Sequence, residues 1–195
     1  MGPLEGAALV LGFGLLHQRR ARGCITAGAL QGWIVALAAG WQGWIRAEPQ
    51  LYLAAAATLA VNGVLLPRAL ARIAERPEPS VGEEPGLSTS ASVLVGLLLI
   101  VVAALAVKPA IQGGGLARED LAVALGVTLL GLSVMIAGRN PLLHAVGVLS
   151  LGNGLILGVI AVPRMPMVMG LAAAVLAMGV LAVLGSSFRA RGRYG

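Results

Sequence analysis

Two histidines, one cysteine and a scatter of amides and hydroxyls are the groups through which this 195-residue chain could do chemistry. A metal site needs several His, Cys or carboxylate donors at close spacing. His17 and His144 are far apart, and neither has such a cluster beside it. Ser186-Ser187 has no base nearby in sequence to activate a hydroxyl, and Gly113-Gly114-Gly115 lacks the Lys-Ser/Thr of a phosphate loop. Cys24 is the single cysteine, so an internal disulfide is impossible and a small packed residue is the expected role. What remains is a set of polar residues inside apolar runs, with Gln31, Asn62, His144 and Asn153 foremost and Gln42, Thr58, Ser133 and Ser150 beside them. Gln31, Asn62, His144 and Asn153 could form a hydrated file for protons, or they could join helices by hydrogen bonds worth about 0.6 kcal/mol each. Amides do not exchange protons near neutral pH, and of these residues only His144 has a side chain of a type that can. His144 also falls one turn past Asn140, near the headgroups. Hydrogen bonding is therefore the preferred role, and no catalytic residue, metal ligand or cofactor is expected.

The elements that carry these residues are set by composition. The chain is 58% hydrophobic and 11% charged, with a mean hydropathy of +0.90. Soluble domains carry about 25% charged residues, so this chain belongs in lipid. No carboxylate lies inside any long apolar run. Charged groups within a bilayer usually mark ion or proton paths, and their absence points to packing and organisation.

A spanning helix needs about 20 apolar residues. Seven are predicted, at Leu4–His17, Cys24–Ile45, Leu51–Ala71, Ala91–Ala110, Leu121–Ala137, Pro141–Val162 and Met167–Ser187. The first is the shortest. It follows no basic region of the kind that opens a secretory signal, so it is expected to stay as a membrane helix. The fold class is thus all-α and polytopic. Glu75–Ser90, with three prolines and four glutamates, reads as a cytoplasmic linker at 75–90. It separates an N-terminal three-helix group, 1–74, from a C-terminal four-helix group, 91–195.

Basic residues alternate between the loops. Arg19, Arg20, Arg22, Arg68, Arg72, Arg76, Arg139, Arg189, Arg191 and Arg193 fall on one side; Arg46, Lys108, Arg118 and Arg164 fall on the other. The positive-inside rule then places the N-terminus outside and the C-terminus in the cytoplasm. This asymmetry also accounts for the net charge of +6 without nucleic acid as a partner. Trp41, Trp44 and Tyr52 fall at the outer ends of the second and third spans, where aromatic rings meet headgroups. Glu119-Asp120 is expected to open the fifth span, where negative charge suits the helix dipole.

Close helix contact in lipid relies on small residues. Gly28 and Gly32, and Gly154 and Gly158, each have Gly-x-x-x-Gly spacing and are the expected packing positions. The two groups of spans echo each other weakly: each has an arginine turn, then a Gly-rich helix with one amide, Gln31 or Asn153.

The run Ser133–Asn140, then Val146-Gly147-Val148-Leu149-Ser150-Leu151-Gly152-Asn153-Gly154, then Arg164-Met165-Pro166, resembles the hydrogenase-4 component E family. The resemblance continues through a basic turn before Ala29-Leu30-Gln31, through Leu51-Tyr52-Leu53, and through Leu65 and Pro67 ahead of a basic stretch. These are membrane subunits of formate-hydrogenlyase-like complexes, and their C-terminal part is related to subunit K of complex I. The resemblance implies a non-catalytic subunit of an oxidoreductase complex in the cytoplasmic (inner) membrane. Its partners would be antiporter-like membrane subunits, a hydrogenase- or dehydrogenase-like peripheral arm, and lipids. The expected intramembrane charges are missing here: Gly152 stands where the family usually has a glutamate, Leu149 where subunit K of complex I has its glutamate, Gly170 and Leu176 replace acidic residues, and Asn62 replaces a lysine. The alternative from another class is a small stand-alone transporter or exporter. No midplane charge or discontinuous helix pair of the usual kind supports it.

Overall fold

The computed structural model describes residues 2–17, 21–74, 89–107, 115–137 and 141–161. The predicted seventh span, Met167–Ser187, lies outside them, as do the Arg139-Asn140 and Arg164–Pro166 connections and most of the linker. Among the described residues every element is helical: α1 (Gly2–His17), α2 (Ala21–Arg46), α3 (Pro49–Thr58), a π-helical segment (Leu59–Leu65), α4 (Leu66–Ala74), α5 (Thr89–Val107), α6 (Gly115–Ala137) and α7 (Pro141–Ala161). Four stretches among these residues are long and apolar enough to cross a bilayer: Arg22–Arg46, Pro49–Arg72, Glu119–Ile136 and Leu142–Ala161. Gly6–Leu15 and Leu94–Leu105 are apolar but shorter. The protein is a multi-pass membrane protein.

Packing runs across the linker. Among the described residues the most extensive pairing is α6 with α7, while α1 lies against both α2 and α6, and α2 against α3 and α7. The N-terminal and C-terminal groups of helices therefore share one interior. Among the described residues that interior has two apolar clusters. One gathers Ala8, Val35, Ala39, Leu51, Ala124, Val127, Ile156 and Ile160. The other gathers Leu15, Cys24, Ile25, Leu70, Val134, Leu142, Ala145 and Val146. On α2 and α7, which contribute to both, Gln31 and Asn153 fall between the two clusters.

Outside, the molecule is apolar. The α5 helix turns Gly96 and Ala103 inward and exposes Leu94, Leu97, Leu98, Val101, Val102 and Leu105. On α2, Leu30, Trp33, Leu37, Trp41 and Trp44 form an exposed stripe at spacings of three and four. In water such a surface would aggregate. Against lipid tails it carries no penalty, and Trp41, Trp44 and Tyr52 sit exposed around the α2–α3 turn.

Two sequence expectations are corrected. The membrane-length stretch of the fifth span opens at Glu119 as expected, but its helix, α6, starts a turn earlier at Gly115, so those carboxylates lie beyond the first turn and do not face the positive end of the helix dipole. Helix propensity through Leu116-Ala117-Arg118 extends the rod into polar sequence. The third span is not a uniform α-helix either. Its backbone stays helical through Thr58, Leu59 and Leu66, but Leu59–Leu65 is π-helical. The buried residues explain why. Ala54, Thr58, Asn62, Leu66 and Leu70 all face inward, every fourth residue. In an α-helix each such step drifts about 40° around the axis. A wider turn takes the accumulated drift back, so both ends of the rod keep their inner faces on the core.

The α2–α3 turn is tight. Ala47 adopts φ 52°, the left-handed region, and Glu48 N donates to Gly43 O at 3.2 Å. This closes the end of α2 as glycine usually does. Pro49 then begins α3, where its missing N–H removes nothing. An alanine in this conformation costs about 1–2 kcal/mol. Ala47→Gly should therefore stabilise the protein by about 1 kcal/mol, raising its thermal midpoint in lipid nanodiscs by about 2–4 °C.

Candidate functional site: a buried amide cluster

Three of the four polar candidates meet. Asn62 Nδ2 donates to Asn153 Oδ1 at 2.8 Å, and Asn153 Nδ2 donates to Gln31 Oε1 at 3.4 Å. Gln31 Nε2 in turn donates to the backbone carbonyl of Ala8 at 3.0 Å. One file of hydrogen bonds thus joins the π-helical segment, α7, α2 and α1. Gln31 and Asn153 are 0% exposed and Asn62 is 2% exposed. Gln31 and Asn153, the two amides of the weak internal echo, are direct partners.

The file has a fixed direction. A backbone carbonyl can only accept, so Ala8 O requires the Gln31 nitrogen. That leaves Gln31 Oε1 to accept from Asn153, and Asn153 Oδ1 to accept from Asn62. The last carbonyl thereby sets the orientation of all three amides.

Small residues let these side chains reach one another. A Cβ on Gly12 would stand 3.1 Å from Gln31 Nε2 and 3.3 Å from Leu130 Cδ1. The bare backbone there lets Gln31 approach α1. A Cβ on Gly32 would come within 3.0 Å of the Asn62 carbonyl carbon, so α2 and the π-helical segment touch backbone to backbone. Trp33 Nε1 donates to Gly63 O at 3.1 Å. The i→i+5 pattern disturbs the usual carbonyl ladder, and the indole N–H supplies a partner in it. Asn62 is therefore held from two sides, by Asn153 and through its neighbour Gly63.

His144 is not part of this arrangement. It is exposed and lies roughly 13 Å from Asn153 along the α7 axis. Of the predicted packing glycines, Gly32 and Gly154 make the closest approaches. A Cβ on Gly154 would lie 2.5 Å from Thr128 N. Gly28 faces Leu149 and Val146 side chains at 3.1 and 3.6 Å, and among the described residues Gly158 meets only Ala124 Cβ, at 3.7 Å. Gly131 and Gly147 escaped the sequence reading, yet a Cβ on either would stand 2.9 Å from backbone of the facing helix. They fall outside any Gly-x-x-x-Gly pair, and the only available signal was the seven-residue interval between Gly147 and Gly154.

Chemically the cluster can bind and orient, but not titrate. Among the described residues the buried polar side chains are Gln31, Gln42, Thr58, Asn62, Ser150 and Asn153, all of them neutral. No group of three or more His, Cys, Asp or Glu is placed to hold a metal among the described residues. No family model, curated protein or solved structure matches the chain.

Proposed function

We propose that the chain is a non-catalytic, seven-span subunit of a complex-I-like hydrogenase or formate-hydrogenlyase-type assembly. Its N-terminus lies outside and its C-terminus lies in the cytoplasm, in the cytoplasmic (inner) membrane. It packs beside antiporter-like subunits and beneath a peripheral arm that carries the redox centres. The observation that carries this reading is the charge-free polar layer. Where a proton-carrying subunit needs titratable groups, Gln31, Asn62 and Asn153 bond to one another. The exposed apolar faces of α2 and α5 give neighbours and lipid a surface to cover. The proton path of the parent complex then bypasses this subunit.

Purification in mild detergent with mass spectrometry of the co-eluting chains tests the assembly. Antiporter-like and hydrogenase-like subunits are the expected companions. A lone protein that moves a solute in liposomes would overturn the proposal. A second test concerns Gly152, which is buried on α7. Gly152→Glu puts the family's usual carboxylate next to Asn153, with no cationic side chain buried among the described residues. Complex turnover should not rise, and a clear gain would show that the path runs through this subunit after all. So would a Gly154→Leu complex that stays intact while Asn153→Ala halts proton movement.

A further inference from the structure

Ser150 is 0% exposed, and its Oγ makes no hydrogen bond to the protein. Other hydroxyls in the spans behave differently. Thr26 donates to Arg22 O at 2.9 Å, Thr58 to Ala54 O at 2.7 Å and Thr128 to Ala124 O at 2.8 Å. Ser133 donates to Leu130 O at 2.9 Å. Each folds back onto its own helix, the usual recourse of a hydroxyl in lipid. Ser150 alone among these points away from that recourse, and a buried hydroxyl without a partner is costly.

Its position gives the reason. Ser150 precedes Asn153 by three residues on α7, and side chains so spaced stand on one side of a helix with Cβ atoms about 5–6 Å apart. The α7 face between Gly147 and Gly154 meets α6, while Asn153 meets α2. By helical angle, Ser150 falls between those two directions, toward the interior that α1 also lines. The Asn153–Gln31 bond, at 3.4 Å, is the longest in the amide file and exceeds the usual N–H···O range of about 2.7–3.2 Å. An unsatisfied hydroxyl and a stretched amide contact thus lie one turn apart in the same layer.

We infer that Ser150 and the amides of Asn153 and Gln31 form a binding site for an internal water molecule. A water with two hydrogen bonds of about 2.8 Å at its near-tetrahedral angle spans about 4.5–5 Å. It needs two to four polar partners. Ser150 Oγ can donate and accept, and each primary amide has a second hydrogen and a second lone pair beyond its bonds within the file. The water is held rather than passed on, because amides flank it and they do not exchange protons near neutral pH. The site depends on the cluster alone and stands whichever assembly the protein joins.

The test uses the full-length chain in lipid nanodiscs, with water itself as the probe. Infrared spectra of the wild type should show an internal O–H stretch that shifts in oxygen-18 water. Ser150→Ala should lose that band, and Ser133→Ala, whose hydroxyl bonds within its own helix, should keep it. The melting point separates wet from dry independently. Removing a hydroxyl that holds a water should lower the thermal midpoint by about 2–4 °C, whereas removing an orphan from a dry site should raise it. A wild type without the band, a Ser150→Ala protein that keeps it, or a Ser150→Ala midpoint that does not fall would each overturn the inference. None of these bears on which subunits co-purify.

Discussion

Gly154→Ala should unfold or scramble the α6–α7 pair, whereas Gly158→Ala, one turn later in the same Gly-x-x-x-Gly motif, should stabilise it. The difference lies in what one methyl group meets. At Gly154 the new carbon would press on Thr128, 2.5 Å from its backbone nitrogen, and backbone cannot swing aside as a side chain tip can. Overpacking a tight contact typically costs about 1–3 kcal/mol and occasionally more. Here the α6–α7 pairing, the most extensive among the described residues, must separate, so a loss of about 3 kcal/mol or more is expected. At Gly158 the nearest atom among the described residues is Ala124 Cβ at 3.7 Å, an ordinary contact. Replacing a helical glycine with alanine at such a site gains about 0.4–1 kcal/mol. Thermal melts of the two variants in nanodiscs check this directly. Equal behaviour would mean that the helices cross elsewhere.

Asn153→Leu is the second large effect. Asn153 is the one of the three with an amide side chain on each side in the file, accepting from Asn62 and donating to Gln31. Leucine keeps the approximate volume but leaves a donor on Asn62 and an acceptor on Gln31 unmet. Each unsatisfied buried group costs about 1–3 kcal/mol, so a loss of about 2–4 kcal/mol should appear in denaturant or thermal unfolding. Asn62→Leu made alone removes an end of the file and should cost less. The double variant should cost less than the two single losses added together, because the donor stranded by the first change is gone. An additive cycle would show that the two residues do not interact.

The all-helical, membrane-bound character was legible because apolar length and the placement of charge are one-dimensional properties. The amide cluster was legible in part. Gln31, Asn62 and Asn153 stand out because amides inside apolar runs must find partners in lipid, yet nothing in their spacing said that they would find one another. His144 satisfied the same filter and proved to be exposed. With 28 glycines in the chain, spacing could not say which ones face a partner. Gly154 and Gly158 share a motif but not an environment, and Gly131 and Gly147 have the environment without the motif. The π-helical segment left no local trace. Alanine fills so much of Leu53–Ala60 that inward and outward positions look alike, and only tertiary contacts reveal the every-fourth-residue pattern.

That wide turn amounts to one surplus residue absorbed inside a membrane rod without breaking it. A chain of the same architecture could carry this span one residue shorter, closing Leu59–Leu65 into ordinary α-helix. The segments on either side would keep their orientation, while the loop of backbone that brings Gly63 O to Trp33 would disappear. A single-residue gap at this point between two such proteins would therefore record a change in the grip on Asn62, with the rest of the span left in register.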